Sequence, residues 1–287
     1  MSELRALVAE ELSLPVDPRV SACAEAIAAK HGAASRAVLF YGSCLRQKQL
    51  DGLMLDFYLI ASDYREAYDK RWLAVANRLI PPNVFYFERR GLVAKYAVLT
   101  EADFFRLCGP ETSSVSVWAR FAQPSRLVWA ADKEARKRAI EAVARAAPTL
   151  LAAAGPGERK TPLDWWRRAF ALTYSAELRA ERKEKGASVV DIDRDRYERF
   201  SAPAIAAIPR TLPSQPGWVW RRMEGKALSV ARLAKASLTF AGGAEYIAWK
   251  INRHAGTNIE LKPWQRRHPL LAGISLLPRL LKSGAVR

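Results

Sequence analysis

The residues best suited to chemistry are Gly42, Ser43 and Asp56. Gly42 and Ser43 end the apolar run AVLFYGS, and Asp56 lies inside the next one, LMLDFYLIAS, with twelve residues between Ser43 and Asp56. A glycine lets the backbone approach a phosphate closely, and a serine hydroxyl and backbone N–H groups bind phosphate oxygens. A carboxylate on the adjacent strand can hold Mg²⁺ against the same phosphates. The pattern therefore predicts a site for a nucleoside triphosphate and Mg²⁺.

Most of this prediction depends on Asp56, because an unpaired charge within an apolar strand is costly. Polymerase-β-type nucleotidyltransferases need such an arrangement, with two acids separated by one residue on the same face of the strand. Here the two same-face positions on either side of Asp56 are Met54 and Tyr58. We therefore take Glu88, on the following predicted strand, as the candidate for a second metal ligand, although a solvated hairpin acid would look the same. A turn serine and a partly exposed strand aspartate would also give this spacing, so the motif alone leaves both interpretations open.

The elements around the motif alternate between helical and strand-like patterns. A hairpin is indicated by two β-rich runs around Arg89, Arg90 and Gly91. The predicted elements are a helix over 18–32, apolar strands that end at 43 and 62, a helix over 62–79, the hairpin over 83–100 and a helix over 131–155. The first half of the chain is therefore predicted to be α+β.

The second half is predicted to be mainly helical. Residues 155–162, GPGERKTP, have the composition of a linker, and a Pro-rich stretch over 208–218 interrupts the helical pattern that follows. We predict three regions: an α+β domain over 1–155, a helical domain over 156–220 and a basic helical segment over 221–287.

Charge indicates a polyanionic partner. The chain carries 46 Lys and Arg against 29 Asp and Glu, a net charge of +17, and 13 of the basic residues but only 3 acidic ones lie in 221–287. Such an excess favours nucleic acid or an anionic membrane surface. Three cysteines and three histidines are too few and too scattered for a disulfide framework or a metal cluster. No run of 18 apolar residues and no signal or transit peptide is present, which predicts a cytoplasmic or peripheral protein.

The motif also resembles a known family. FYGSCLRQ and MLDF are similar to the nucleotide-binding signature of the mitochondrial-type phosphatidate cytidylyltransferases, also called the translocator assembly and maintenance family. The family pattern is Tyr-Gly-Ser with a following Gln, then Met-Leu-Asp-Phe with a single strand Asp. The matching residues are Tyr41, Gly42, Ser43, Gln47, Met54, Leu55, Asp56 and Phe57.

Three further stretches resemble the family in the same order. AKYAVLT matches a Lys-Tyr strand through Lys95 and Tyr96. WARFAQP matches a turn through Ala119 or Arg120 and through Pro124, with Gln123 where the family usually has Lys. ALTYSAELR matches a helical motif through Tyr174, Ser175, Glu177 and Arg179, where Glu177 replaces an Asp. The resemblance extends well over 35–200 and weakly over 225–287.

The resemblance implies a reaction and a set of roles. It implies a polymerase-β-like nucleotidyltransferase domain, a winged-helix-type domain and a C-terminal membrane-docking segment, with CTP, phosphatidic acid and Mg²⁺ as reactants. Asp56 would bind the metal, with Glu88 kept as the candidate second ligand from its place on the following strand, and Asp56, Ser43 and Lys95 would be catalytic. The implied nucleotide-binding residues are Tyr41, Gly42, Ser43, Gln47, Tyr96 and Arg120. Tyr174, Ser175, Glu177 and Arg179 would contact the lipid phosphate or join the domains.

The expected location is the inner face of a bacterial membrane, with an anionic lipid surface and no nucleic acid as the partner. Trp220 and Trp264 are interleaved with arginines, which suits a membrane interface, but the same interleaving suits stacking on single-stranded nucleic acid. Two alternatives therefore stay open: a nucleotidyltransferase that acts on RNA or another acceptor, and a non-catalytic basic scaffold.

Overall fold

The centre of the fold is a five-stranded mixed sheet. The computed structural model describes residues 2–46, 50–157, 161–176, 185–211, 213–214, 216–239 and 262–263. Within them, the strands are β1 (Ser35–Tyr41), β2 (Met54–Ala61), β3 (Asn83–Arg89), β4 (Leu92–Thr100) and β5 (Ser125–Ala130). The strand order is β3-β4-β2-β1-β5, with β2 and β4 parallel and the other neighbours antiparallel. This architecture confirms the α+β prediction.

Helices surround the sheet and follow it in the chain. Those that precede residue 155 are α1 (Glu3–Leu12), α2 (Pro18–Lys30), α3 (Tyr64–Ala67), α4 (Arg71–Leu79), α5 (Glu101–Cys108), α6 (Trp118–Phe121), α7 (Lys133–Ala144) and α8 (Ala146–Ala154). Those that follow it are α9 (Pro162–Ala176), α10 (Lys185–Ile192), α11 (Arg194–Ala206) and α12 (Trp218–Thr239).

Two predicted helices are each broken in two. The helix expected over 131–155 divides at Arg145 into α7 and α8. Pro148 lies in the first turn of α8, where its missing N–H costs little, whereas inside one continuous helix it would remove a backbone hydrogen bond. The helix expected over 62–79 divides into α3 and α4, because Tyr68 has extended backbone angles. The two apolar strands, the hairpin and the helix that starts at Pro18 are confirmed.

Each face of the sheet carries its own apolar cluster. Val38, Phe57 and Val98 point to one face, where they pack with α2 and α3. Leu39 and Tyr58 point to the other face, where they pack with helices α1 and α5 to α9. Because β2 is covered on both faces, its sequence from Phe57 to Ala61 is almost continuously apolar, as expected for a central strand.

The second apolar cluster continues across the predicted linker. It includes Trp166, Phe170 and Tyr197, which come after residue 155, together with strand residues such as Leu39. The indole of Trp165 donates to the carbonyl of Leu151, 3.0 Å away, and thereby joins α9 to α8. Residues on the two sides of 155–162 therefore share one core. The predicted boundary at 220 falls inside α12.

None of the described helices has the length and apolar content needed to cross a membrane. Most of the segment expected to dock on a membrane, 240–261 and 264–287, lies outside the described residues.

Candidate functional site

The candidate site begins where β1 ends. Gly42 follows Tyr41, the last residue of β1, and has φ +95°, a conformation that residues with a Cβ rarely adopt. A Cβ at this position would lie 3.1 Å from Oδ2 of Asp56. Tyr41 is the direct cross-strand partner of Asp56. Gly42 is therefore required both for its backbone conformation and for the close approach of the Asp56 carboxylate.

Asp56 forms an ion pair with Lys95. The two residues are register partners in the parallel pair β2 and β4, so both side chains point to the same face of the sheet. Lys95 Nζ lies 3.0 Å from Oδ1 of Asp56, and the side chains remain 26% and 20% exposed. An anion could therefore reach the ammonium group, and a cation could reach the carboxylate, without unfolding of the surrounding structure.

Ser43 starts a single 3₁₀ turn, residues Ser43–Arg46, immediately after Gly42. The backbone N–H of Leu45 closes this turn by donating to the carbonyl of Gly42 over 3.2 Å. Ser43 is exposed. Its position beside Gly42 fits a phosphate-binding turn, and Gln47, which was predicted to assist, lies outside the described residues.

Tyr41 lies on the same face of the sheet as Asp56. Its ring centroid is 5.3 Å from that of Tyr58 and 5.9 Å from that of Phe121, so the strand end is held under α6. Arg120 precedes Phe121 on α6, and its guanidinium donates to the backbone carbonyl of Ser116. Helix α6 thus brings Arg120 to the side of the sheet that carries Asp56.

Tyr96 does not join this group. It follows Lys95 in β4, so it points to the opposite face, where its ring is fully buried and stacks on Phe85 at 5.4 Å. Nδ1 of His31 donates to the carbonyl of Ala67 over 2.8 Å, so the proton of the neutral imidazole is on Nδ1. Nε2 of His31 therefore accepts a hydrogen bond from the hydroxyl of Tyr96 over 3.1 Å. Burial raises the pKa of Tyr96. Tyr96 therefore has the contacts of a core residue.

Glu88 is also separated from Asp56. It lies on the edge strand β3, is exposed, and accepts a hydrogen bond from the hydroxyl of Tyr86 over 2.8 Å. Strand β4 runs between β3 and β2, so the two carboxylate-bearing strands are about 10 Å apart. Lys95 occupies the intervening position opposite Asp56. The geometry gives no support to Glu88 as a partner of Asp56.

Tyr86 is a residue that the sequence reasoning missed. It pairs with Lys95 across β3 and β4, on the same face as Asp56. Burial, followed by the contact with Glu88, raises the pKa of its hydroxyl, so this group is a neutral donor at physiological pH. A signal was present in the alternation of NVFYFER, which puts Tyr86 and Glu88 on one face.

The predicted residues on α9 have ordinary helix contacts. The hydroxyl of Ser175 donates to the carbonyl of Leu172 over 2.7 Å, and Tyr174 is half-buried against the core. A Cβ on Gly225 of α12 would overlap the carbonyl oxygen of Ala176, so α9 and α12 cross very closely beside these residues. Glu177 and Arg179 lie outside the described residues.

A magnesium ion fits Asp56 in one specific way. Mg²⁺ is commonly held by one or two carboxylates together with substrate phosphates, rather than by a cage of protein ligands. Asp56 supplies one partly exposed carboxylate next to the Gly42 turn. Among the described residues, no group of three His, Cys, Asp or Glu side chains could form such a cage. Asp56 could therefore supply one protein ligand to a metal ion.

Comparisons with known proteins add no assignment. No model of a protein family matches the chain, and no curated protein is significantly similar to it.

Proposed function

We propose that this protein is a Mg²⁺-dependent nucleotidyltransferase that transfers a cytidylyl group to phosphatidic acid. The observation that carries the proposal is the close approach of Asp56 to Gly42, where a Cβ would lie 3.1 Å from Oδ2 of Asp56. A glycine with positive φ stands at the end of β1, and its Cα faces the carboxylate of Asp56, beside the ammonium of Lys95. A triphosphate requires these three features: open backbone, a metal-binding carboxylate and a cation.

Each residue would act on a defined part of the nucleotide. The 3₁₀ turn after Gly42 would bind the terminal phosphates through Ser43 and its backbone N–H groups. Asp56 would hold Mg²⁺, which neutralises charge on the departing pyrophosphate. Lys95, held 3.0 Å from Asp56, would shift from the carboxylate to a phosphate oxygen once the metal occupies Asp56.

In the proposed reaction, a phosphate oxygen of phosphatidic acid attacks the α-phosphorus of CTP. The new P–O bond gives CDP-diacylglycerol, and the bond between the α-phosphorus and the bridging oxygen breaks to release pyrophosphate. The acceptor phosphate is already ionised near neutral pH, so the residues mainly position and neutralise charge. Residues 1–155 would form the nucleotidyltransferase part, and the helices that follow and share its core would form the winged-helix-type part.

The choice of acceptor rests on two features of the sequence. The four motifs quoted above follow the order found in the phosphatidate cytidylyltransferases, and the last 67 residues, 221–287, hold 13 of the basic side chains. A basic segment suits the anionic surface in which phosphatidic acid resides. The proposed location is accordingly the inner face of a bacterial membrane.

The test is to incubate the full chain with CTP labelled in its cytosine ring, Mg²⁺ and phosphatidic acid in mixed micelles. Label in the organic phase that is lost in Asp56→Asn would support the proposal. Mg²⁺-dependent CTP binding without lipid-soluble label would exclude phosphatidic acid, and RNA would be the next acceptor to test. Absence of any nucleotide binding would exclude the whole assignment and leave the non-catalytic scaffold.

A further inference from the structure

Helix α12 has two faces with opposite properties. Its inner face is fixed to the rest of the protein by charged side chains and by the close crossing at Gly225. Arg221 is 3% exposed and donates to the backbone carbonyl of Ser113. Arg232 donates to the carbonyl of Pro81 over 2.8 Å and to the hydroxyl of Ser116 over 3.0 Å.

The same face is held at the far end of the helix by Lys235. This residue is buried and donates from Nζ to the backbone carbonyls of Ile80 and Pro82, the second over 2.9 Å. The single acidic residue of α12, Glu224, accepts from the hydroxyl of Ser113 over 2.6 Å. The acid is therefore also turned inwards, and the orientation of the helix is fixed along most of its length.

The outer face of α12, defined here as Val219, Trp220, Met223 and Val230, is apolar and exposed. These four side chains are between 50% and 65% exposed. Positions 219, 223 and 230 are four and seven residues apart, so they share one side of a helix, and Trp220 is next to them. Arg222 and Lys226 border this face, and Lys226 is exposed.

We infer that the outer face of α12 inserts into the headgroup region of an anionic bilayer. An apolar stripe with bordering basic residues is the pattern of helices that lie in a membrane interface, and Trp is favoured at that depth. The charges argue for an anionic lipid surface rather than a second copy of the chain, because two outer faces would bring like charges together. Exposed Val and Met side chains offer nothing to a nucleic-acid backbone.

Membrane binding by α12 would serve the proposed function and rests on it, since an enzyme must reach a lipid acceptor at a membrane. Helix α12 also packs on β3, which pairs with the strand that carries Lys95. A bilayer bound at α12 would therefore contact the same sheet as the candidate site.

The test measures binding of the full chain to phosphatidylcholine vesicles with and without phosphatidylglycerol, in the absence of nucleotide. Met223→Glu and Val230→Glu should each weaken binding to the anionic vesicles by about tenfold or more. Each change places a charge where an apolar side chain would be buried in the bound bilayer. Ile192→Glu is the matched control, since Ile192 is 60% exposed on α10 and the change in net charge is the same. Equal binding of Met223→Glu and Ile192→Glu would overturn the inference.

A second measurement identifies what covers the outer face. The three native cysteines are buried, so a polarity-sensitive thiol dye will mark Met223→Cys selectively. Its emission should be that of an exposed dye in buffer and should shift to the blue on anionic vesicles. A dye that is already shielded in buffer would overturn the inference, because another part of the chain or a second copy would then occupy the face. Asp56→Asn should bind vesicles normally, which separates failure of this inference from failure of the proposed function.

Discussion

Lys95 Nζ and Asp56 Oδ1 lie 3.0 Å apart across the parallel strands β4 and β2, at a position where both side chains remain partly exposed. A pair in this environment contributes little to stability, because water screens it. In the proposed function its role is chemical: each partner would hold the other in place at the mouth of the Gly42 turn.

Replacement of Lys95 by Met should separate these two roles. We expect the free energy of unfolding to change by less than about 1 kcal/mol, since the pair is partly exposed. Turnover should fall by about 100-fold or more, because a cation that stabilises the phosphates is lost. Urea unfolding and the labelled-lipid assay measure the two quantities, and Lys95→Arg, which keeps the charge, should retain part of the activity. Full activity of Lys95→Met would remove Lys95 from the mechanism.

Gly42→Ala tests the close approach to Asp56. Both Gly42 and Gly52 have positive φ, but a Cβ on Gly52 would meet nothing within 4 Å, whereas one on Gly42 would lie 3.1 Å from Asp56 Oδ2. Each Ala variant should therefore lose about 1 kcal/mol of stability through backbone strain. Only Gly42→Ala should also lose Mg²⁺-dependent CTP affinity in titration calorimetry. Equal CTP affinities for the two variants would contradict the assignment of this turn.

Glu88→Gln should leave turnover and the Mg²⁺ requirement close to those of the unmodified protein. Glu88 is exposed, contacts Tyr86, and is separated from Asp56 by β4. Asp56→Asn, in contrast, should reduce turnover by about 100-fold or more. The measurement is the dependence of rate on Mg²⁺ concentration for both variants. A raised Mg²⁺ requirement in Glu88→Gln would restore Glu88 as a metal ligand.

His31 should make the protein less stable in acid. Burial, and to a lesser degree the charge of Lys30, lower the pKa of His31, so the folded state binds a proton at lower pH than the unfolded chain. In the interval between the two pKa values the unfolded state holds more protons, and the free energy of unfolding falls as pH falls. Urea unfolding between neutral pH and about pH 5 should show a steeper loss for the unmodified protein than for His31→Gln. If the free energy of unfolding falls equally with pH in both proteins, His31 is not the cause of the loss of stability in acid.

Among the ion pairs of the described residues, the one between Glu11 and Arg196 should be the most costly to break. It joins α1 to α11, and its side chains are only 8% and 12% exposed. Glu11→Gln leaves the Arg196 charge without its partner and should cost about 3–5 kcal/mol. Glu10→Gln is the control, because the Glu10–Arg199 pair on the same two helices is half exposed and should be worth less than about 1 kcal/mol. Thermal and urea unfolding report both values, and similar losses would show that burial is not the cause.

Local sequence patterns predicted the strands well and the site only in part. The apolar run that ends in Gly42 and Ser43 and the run that contains Asp56 became adjacent strands, so Gly42 and Asp56 meet as expected. Lys95 and Tyr96 could not both join them, because neighbours in a strand point to opposite faces. That rule alone would have removed Tyr96 from the candidate site.

Other features depend on contacts that no local pattern contains. The separation of Glu88 from Asp56 follows from the strand order β3-β4-β2, which a parallel pairing between distant segments creates. The division between α7 and α8 lies just before Pro148. The predicted helix over 131–155 ran through this proline, although a proline inside a helix removes a backbone hydrogen bond. The pairing of Tyr86 with Lys95 required the register of the hairpin.

The core that passes from the sheet into α9 and α11 has a consequence for how the protein unfolds. Trp166, Phe170 and Tyr197 lie in the same cluster as Leu39 and Tyr58, so neither half can lose its structure without exposing apolar surface on the other. We expect the described part of the chain to unfold in one cooperative transition. A protein cut at residue 155 would expose the apolar side chains of α1 and α8 that pack against α9 and α11, and it should aggregate. The helices after this point are thus half of a single folding unit, and they could not be exchanged between proteins as an independent module.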